Sequence, residues 1–299
     1  MSTASGNGRR SGEGWTIWLT AQRGLLISVA IFATMFAFYG WKLEYGLSAS
    51  MVNTAANKGA LLALVAMAQT IPVLTGGLDL SVGMMFVLTN CLAATVVNGD
   101  PLRTTLGVAL VLLTGIICGT VNGLVVVYGR LQPIIVTLAT GAIYFGLGLA
   151  LRPQPGGSVN PGFADLMTGS FGVVPSSVLL LLIMVFCVWI PYRRSILGRA
   201  AYAIGSSEHA AYMSGVPINR AKILAYVLSG FFAAIAGLLL TALTYSGAAK
   251  TAIGADYTLN SIAAVVIGGT SLFGGTGSAI GVYLRCLHHA HGGRSSYRV

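Results

Sequence analysis

Residues Gly76-Gly77-Leu78-Asp79-Leu80-Ser81-Val82-Gly83 interrupt two long apolar stretches with glycine and polar groups, and they decide how the rest of the chain is interpreted. In a bilayer, backbone groups freed by such a break find no water, so protein or a water-filled cavity must surround it. A carboxylate at membrane depth adds a cost of about 2.5 to 3.5 kcal/mol on insertion scales. The break therefore predicts a site, in which Asp79 caps the helix that starts near Ser81, contributes to a translocation path, or does both.

The composition is that of a membrane protein. Of 299 residues, 55% are hydrophobic and only 8% are charged, whereas soluble domains carry about 25% charged residues. The net charge of +10 comes without a nucleic-acid-binding motif, so orientation of helices in a lipid membrane explains it better than a nucleic-acid partner does. The four cysteines stand singly, and the sequence predicts neither a disulfide framework nor a metal site.

The apolar stretches predict an all-α polytopic transmembrane helix bundle of eight to nine spans. The predicted spans are residues 24–41, 59–75, 81–97, 104–128, 133–151, 177–190, 221–245 and 257–273, with a ninth that begins at Gly277 and ends after Leu284. The predicted organisation is an N-terminal tail at 1–23, a transmembrane domain at 24–284 and a polar tail at 285–299. Residues 42–58 are predicted to form a polar connection, and 152–176 the longest non-membrane stretch before the middle of the chain.

The distribution of basic residues predicts a cytoplasmic N-terminus. With that orientation nine Lys or Arg side chains fall on the cytoplasmic side, in residues 1–23, 129–132 and 191–222, and five fall on the opposite side. Residues 191–222 then form the largest cytoplasmic loop.

Residues 206–215 within this loop predict a short helix. Serines supply the N-cap, Glu208 lies in the first turn, and Gly215 with Pro217 ends the helix. Two interpretations stay open for it: a segment on which a soluble partner pushes, or an interfacial helix on the membrane surface. Elsewhere Gly115, Gly119 and Gly123 recur every four residues, which predicts a smooth face for close helix packing.

Four motifs together resemble a known family. They are residues 76–83, Pro133-Ile134-Ile135-Val136-Thr137-Leu138-Ala139-Thr140, residues 198–215, and the stretch from Ile262 to Gly275. In this order they resemble permease subunits of bacterial ribose-type monosaccharide ABC importers, over residues 53–281. Such permeases usually have ten spans, whereas this sequence turns basic and polar after Leu284. We therefore expect a truncated or altered C-terminus.

The resemblance implies three partners and two groups of site residues in a bacterial inner-membrane protein. The partners are a separate ABC ATPase, a second permease copy and a periplasmic sugar-binding protein. The implied ATPase-coupling helix comprises Arg199, Glu208, His209, Ala210, Ala211 and Gly215, where His209 stands in place of a commonly acidic residue. The family motif at the membrane break comprises Gly76, Gly77, Asp79, Ser81 and Gly83.

The chain itself shows no energy-converting chemistry. The glycine-rich residues 268–281 lack the lysine that a phosphate-binding loop requires, so no nucleotide cofactor is expected and ATP hydrolysis is assigned to the partner. Asn90, Asn122 and Thr137 are candidates to line a path for a neutral, hydroxyl-rich solute, with helix-to-helix hydrogen bonds as the alternative. An ion-gradient carrier and a non-functional fragment remain alternative functions.

Overall fold

The computed structural model describes residues 48–172 and 174–277, together with Thr34, Ala37 and Phe38. The predicted N-terminal tail and most of the first span lie outside these residues. So do the ninth span beyond Gly277 and the polar tail.

The described chain is almost entirely helical, which confirms the all-α bundle. The elements in order are α1 (Ala49–Leu74), α2 (Val82–Val96), α3 (Pro101–Tyr128), α4 (Pro133–Leu151), α5 (Pro161–Thr168), β1 (Ser170–Phe171), β2 (Val174–Pro175), α6 (Ser176–Met184), a π-helical turn (Val185–Trp189), α7 (Ile190–Arg194), α8 (Ile196–Ser206), α9 (Glu208–Met213), α10 (Ile218–Thr244) and α11 (Thr251–Ile267). The strands β1 and β2 form a small antiparallel hairpin.

Five stretches of the described chain are long and apolar enough to cross a membrane. They are Ser50–Leu74, Pro101–Tyr128, Pro133–Leu151, Ser176–Arg194 and Ile218–Thr244, and the shorter apolar helices are α2 and α11. These seven match the predicted spans in order.

Two predicted spans have the wrong limits. Helix α1 begins at Ala49 rather than at residue 59, because Ser48 caps it by accepting a hydrogen bond from the Met51 N–H at 3.3 Å. Residues 49–58 are therefore helical and do not belong to a polar connection. Helix α11 occupies Thr251–Ile267 rather than 257–273, because Gly269 adopts a left-handed φ of +83° and the following residues form turns.

Helix α10 lies at the centre of the bundle and packs on α1, α2 and α3. Against α3 the backbones approach closely: a side chain at Gly119 would overlap the Tyr226 carbonyl, and one at Gly115 would overlap that of Gly230. This confirms the predicted glycine face. The main apolar core, which includes Phe86, Trp189 and Phe232, surrounds the same helix.

The connections gather at two ends of the bundle. At one end, residues 268–277 meet the C-terminus of α1, where the Gly275 N–H donates to the Leu74 carbonyl at 3.2 Å. We call it the basic end, because it carries Arg130, Arg193, Arg194, Arg199, Arg220 and Lys222.

The opposite end, here called the loop end, holds residues 97–100, 152–175 and 245–250. Arg152 donates to the Ala94 carbonyl at 2.8 Å and to Thr95 Oγ1 at 3.1 Å. Gly156 and Gly247 exchange backbone hydrogen bonds, which tie the long loop to the connection after α10. The long non-membrane stretch predicted from the sequence thus contains α5 and the hairpin.

Candidate functional site at the membrane break

Asp79 is completely buried at the start of α2. Its Oδ1 accepts from the Ser81 hydroxyl at 2.6 Å and from the Ser81 N–H at 3.1 Å, and its Oδ2 accepts from the Ser229 hydroxyl at 2.8 Å. No ion pair to Asp79 occurs among the residues that the structure describes. The carboxylate therefore holds the tight turn before α2 with neutral donors, whereas the N-cap of α2 is Ser81 and no side-chain hydrogen bond caps the helix. The role of Asp79 in a path stays a prediction.

The hydrogen bonds at Asp79 continue into two further helices. The Asn122 amide, on α3, donates to Ser81 Oγ at 2.7 Å, and the Tyr144 hydroxyl, on α4, donates to Asn122 Oδ1 at 3.0 Å. Because Ser229 belongs to α10, this buried network joins four helices at the break. Asn122 itself is fully buried.

The backbone donors freed by the break also find side-chain acceptors. The Leu80 N–H donates to Thr137 Oγ1, on α4, at 3.0 Å, and the Gly83 N–H donates to Thr258 Oγ1, on α11, at 3.1 Å. These are groups that the interrupted helices leave without an intrahelical partner. Side chains of α4 and α11 thus supply the hydrogen-bond acceptors that lipid cannot provide.

Glycine is required at the break for close approach. A side chain at Gly83 would overlap the Gly254 carbonyl, so α2 and α11 cross with backbones in contact. An added Cβ at Gly77 would lie 2.7 Å from the Tyr226 hydroxyl. Gly76 has φ +78°, a left-handed conformation that other residues rarely adopt.

The structure separates the three predicted path residues. Asn122 and Thr137 lie at the break, whereas Asn90 lies nearer the loop end, where its amide donates to Thr241 Oγ1 at 2.8 Å and accepts from the Ala248 N–H at 3.1 Å. All three are buried and hydrogen-bonded to neighbouring elements, as the alternative interpretation expects. Their path-lining role stays a prediction.

Residues 196–217, here called the capped segment, contain α8 and α9. Ser195 caps α8 by accepting from the Gly198 N–H at 3.0 Å, and Ser207 caps α9 by accepting from the Ala210 N–H at 3.3 Å. Gly215 follows α9 with φ +72°. The predicted short helix is present over Glu208–Met213, with the expected caps.

The predicted coupling residues divide by exposure. Ala211 is 4% exposed and belongs to a small apolar cluster with Ala200, Ile204 and Ala221. The others lie at the surface: Arg199, Glu208, His209, Ala210 and Gly215. Tyr212 and Met213 are more than 70% exposed, and sequence reasoning had not singled them out. The segment thus stands on its own small core and presents a mixed polar and apolar surface.

One ion pair attaches α9 to α10. Lys222 Nζ lies 2.7 Å from Glu208 Oε1, at the edge of a groove of about 410 Å³. The groove is lined by Glu208, Tyr212, Val216, Pro217, Ile218, Asn219 and Arg220.

Gly205 joins the capped segment directly to the membrane break. A side chain there would overlap the Leu74 carbonyl and the Gly275 nitrogen. The Tyr202 hydroxyl donates to the Gly277 carbonyl at 3.0 Å. The end of α8, the end of α1 and the glycine-rich turns therefore form one junction.

Helix α11 exposes polar side chains that the sequence interpretation had not selected. Asp256 and Asn260 are both exposed and lie four residues apart, hence on one face of the helix. Their spacing within an apolar stretch was the available sequence signal. Within residues 48–172 and 174–277, no three His, Cys, Asp or Glu side chains gather to hold a metal ion.

Comparison with known proteins identifies the family of the chain. The family described as branched-chain amino acid transport system / permease component matches residues 51–287. The ribose import permease protein of Escherichia coli strain K12 is 36% identical over 299 residues, which cover 96% of this chain and 88% of the relative.

Two further relatives are also permease proteins of import systems. The ribose import permease protein of Bacillus subtilis strain 168 is 37% identical over 76% of this chain and 71% of its own length. The autoinducer 2 import system permease protein of Salmonella paratyphi B is 32% identical over 75% of this chain and 69% of its own. No solved structure matches.

Proposed function

The chain belongs to the family of transport-system permease components, and from this premise we propose that two copies form the solute path of an ATP-driven monosaccharide importer. It is a membrane permease of an ABC transporter, a multi-pass inner-membrane protein and a transporter component rather than an enzyme. The names of the ribose import relatives support the solute class.

The junction at Gly205 is the observation that carries the proposal. A separate ATPase docks on the capped segment, and backbone contact at Gly205 passes its movement to the C-terminus of α1 beside Gly76. No side chain intervenes to absorb the movement. The basic end therefore faces the cytoplasm, in agreement with its cationic residues.

The docking surface combines charge with apolar area. Glu208 and His209 are exposed beside Tyr212 and Met213. Aromatic residues and methionine are enriched at protein interfaces, and the neighbouring groove is open to a side chain of the ATPase. Ala211 beneath them holds the surface in place.

The polar face of α11 supports a path between two copies. An exposed carboxylate is expensive in lipid, and such residues usually face a water-filled cavity. Asn260 lies about 14 Å along the helix from Thr251, deep enough that the membrane surface does not account for its exposure. We place Asp256 and Asn260 on the path, with the loop end toward a periplasmic sugar-binding protein.

Under this proposal the sequence-predicted path residues lie in the interior of the bundle and not on the exposed face of α11. Asn122 and Thr137 hold the break, and Asn90 holds α2 to the end of α10. They line the solute path only in a conformation that parts these hydrogen bonds.

Replacing Ala211 with tryptophan tests ATPase docking. The larger side chain cannot enter the cluster of Ala200, Ile204 and Ala221, so it should displace α9. We expect at least a tenfold loss of ATPase that co-purifies with the tagged full chain from its native host, with unchanged membrane insertion.

The matched control is Ala142→Trp, since Ala142 is exposed on α4 away from the capped segment. Equal ATPase recovery with wild type and Ala211→Trp would contradict docking at this segment. Solute uptake by vesicles that contain the chain alone would instead support an ion-gradient carrier.

A further inference from the structure

The stretch Ser176–Arg194 is the least buried of the five apolar spans in the described part of the chain. Leu182, Ile183 and Phe186 on this span are exposed, and no described residue covers them. The span has 19 residues, which extend about 28 Å at 1.5 Å per residue, close to the roughly 30 Å of a bilayer's hydrocarbon core. This side of the bundle therefore meets lipid.

Two arginines lie where the span ends. Arg193 and Arg194 belong to the last turn of α7, both are exposed, and neither has a carboxylate partner within residues 48–172 and 174–277. At the basic end, the exposed acidic side chain that the structure describes is Glu208, which is paired with Lys222. Because a helix that crosses the hydrocarbon core ends among the lipid headgroups, the two guanidinium groups bring uncompensated positive charge to the level of the lipid phosphates.

The turn after α7 fixes the backbone that carries these arginines. The Ser195 hydroxyl donates to the Tyr192 carbonyl at 2.7 Å and accepts from the Gly198 N–H at 3.0 Å. A side chain at Gly198 would overlap the Tyr192 carbonyl, so the start of α8 packs on the end of α7 with backbones in contact. Tyr192 itself is buried. The charged side chains are therefore presented from a rigid turn.

An exposed apolar side chain lies in the same turn. Ile196 is the first residue of α8, two positions after Arg194, and it is 69% exposed. Surfaces that bind anionic lipid combine the same two elements, since basic side chains attract the headgroup and apolar side chains enter the acyl region beneath it. A soluble partner could also bind arginines, but their position at the end of a lipid-facing span favours lipid.

We propose that Arg193, Arg194 and Ile196 form a binding site for an anionic phospholipid. The guanidinium groups hold the phosphate of the headgroup, for which arginine offers paired N–H donors, and Ile196 packs among the acyl chains. The site requires only that the chain spans a membrane, so it does not depend on the solute or the ATPase of the proposed function. Because α8 begins in this turn, the bound lipid holds the start of the capped segment at the membrane surface.

Binding of phosphatidylglycerol with a fluorescent acyl chain to the purified full chain in detergent tests the site, with equally labelled phosphatidylcholine as the neutral reference. We expect tighter binding of phosphatidylglycerol, by a factor that falls as salt is added. Arg193→Gln combined with Arg194→Gln should weaken this binding at least tenfold, because each basic residue near a lipid surface contributes roughly fivefold. Ile196→Ser should weaken the binding of both lipids alike.

The matched control is Arg103→Gln combined with Lys250→Gln, which removes the same charge from exposed residues at the opposite end of the bundle. It should bind phosphatidylglycerol as wild type does, and Arg193→Lys combined with Arg194→Lys should retain most of the binding. Equal affinity of wild type for the two lipids, or an equal loss in the control, would overturn the site.

Two further results would assign the arginines to another partner and so overturn the proposal. One is displacement of phosphatidylglycerol by millimolar inorganic phosphate, which would indicate a site for a free anion. The other is loss of co-purifying ATPase in the glutamine pair with its preference for phosphatidylglycerol unchanged, which would indicate a protein contact. Lipid binding is measured without ATPase or solute, so its failure leaves the proposed function standing, and failure of the proposed function leaves the lipid site standing.

Discussion

The membrane break and the capped segment treat their polar groups in opposite ways. At the break, Asp79 and Ser81 are fully buried and bonded to groups from other helices. In the capped segment, Glu208 and His209 are exposed, and the ion pair between Glu208 and Lys222 is partly solvated. Buried hydrogen bonds therefore fix the helices at the break, whereas the capped segment keeps its polar groups at the surface.

The difference shows what each region contributes. The network at Asp79 specifies how four helices meet, because every donor there would be unsatisfied in lipid. The capped segment has a small apolar cluster beneath it, and its outer surface is exposed. Substitutions at the break should therefore affect folding, whereas under the proposed function substitutions in the segment should affect coupling.

The largest effect is expected from Asp79→Ala. It removes the acceptor for the Ser81 N–H, the Ser81 hydroxyl and the Ser229 hydroxyl, at an expected cost of roughly 3 kcal/mol or more. We expect loss of the monodisperse peak in fluorescence-detected size-exclusion chromatography. Asp79→Asn, which retains one acceptor oxygen, should be affected less. If Asp79→Ala were as stable as wild type, the buried hydrogen bonds at the break would not be what stabilises it, and the two regions would no longer differ in this respect.

A smaller effect, on coupling, is expected from Gly205→Ala. The new methyl group would overlap Leu74 and Gly275 and separate α8 from the break. Uptake by the assembled transporter should fall about tenfold or more, while ATP hydrolysis continues. Gly146→Ala is the control, because no described atom beyond its own helix turn lies within 4 Å of the added carbon. If uptake is unchanged in Gly205→Ala, the junction does not transmit movement.

The smallest effect is expected from Lys222→Gln, which breaks the ion pair with Glu208. Exposed pairs of this kind contribute about 0 to 1 kcal/mol, so thermal stability should change little. The difference between wild type and variant should shrink further as salt is added. If Lys222→Gln lowered the melting temperature as much as Asp79→Ala does, the capped segment would depend on its polar contacts for stability as strongly as the break does.

Much of the fold can be predicted from the sequence, because few backbone structures satisfy all their hydrogen bonds in lipid. Long apolar stretches must become helices, and the spacing of Gly115, Gly119 and Gly123 correctly predicted a face for close helix packing, although not that α10 is the partner. The serines before α9 and the glycine after it predicted where this helix begins and ends, because capping is a local interaction.

Other features depend on contacts between residues distant in sequence. The partners of Asp79 include Ser229, 150 residues away, and no local pattern identifies that pair. Asp256 was overlooked because the predicted span began at residue 257, so the relation of Asp256 to Asn260 on one helix face did not emerge. A cavity beside the break is lined by residues of α3, α4, α8, α9 and α10, which only the tertiary fold brings together.

The strap across the loop end has a mechanical consequence. Arg152 binds the last turns of α2, and the Gly156–Gly247 bridge binds the chain just after α10, so the far tips of these helices are fastened to each other. Under the proposed function, a partner that displaces α8 and α9 at the basic end would therefore tilt α2 and α10 about the loop end rather than shift them as one unit.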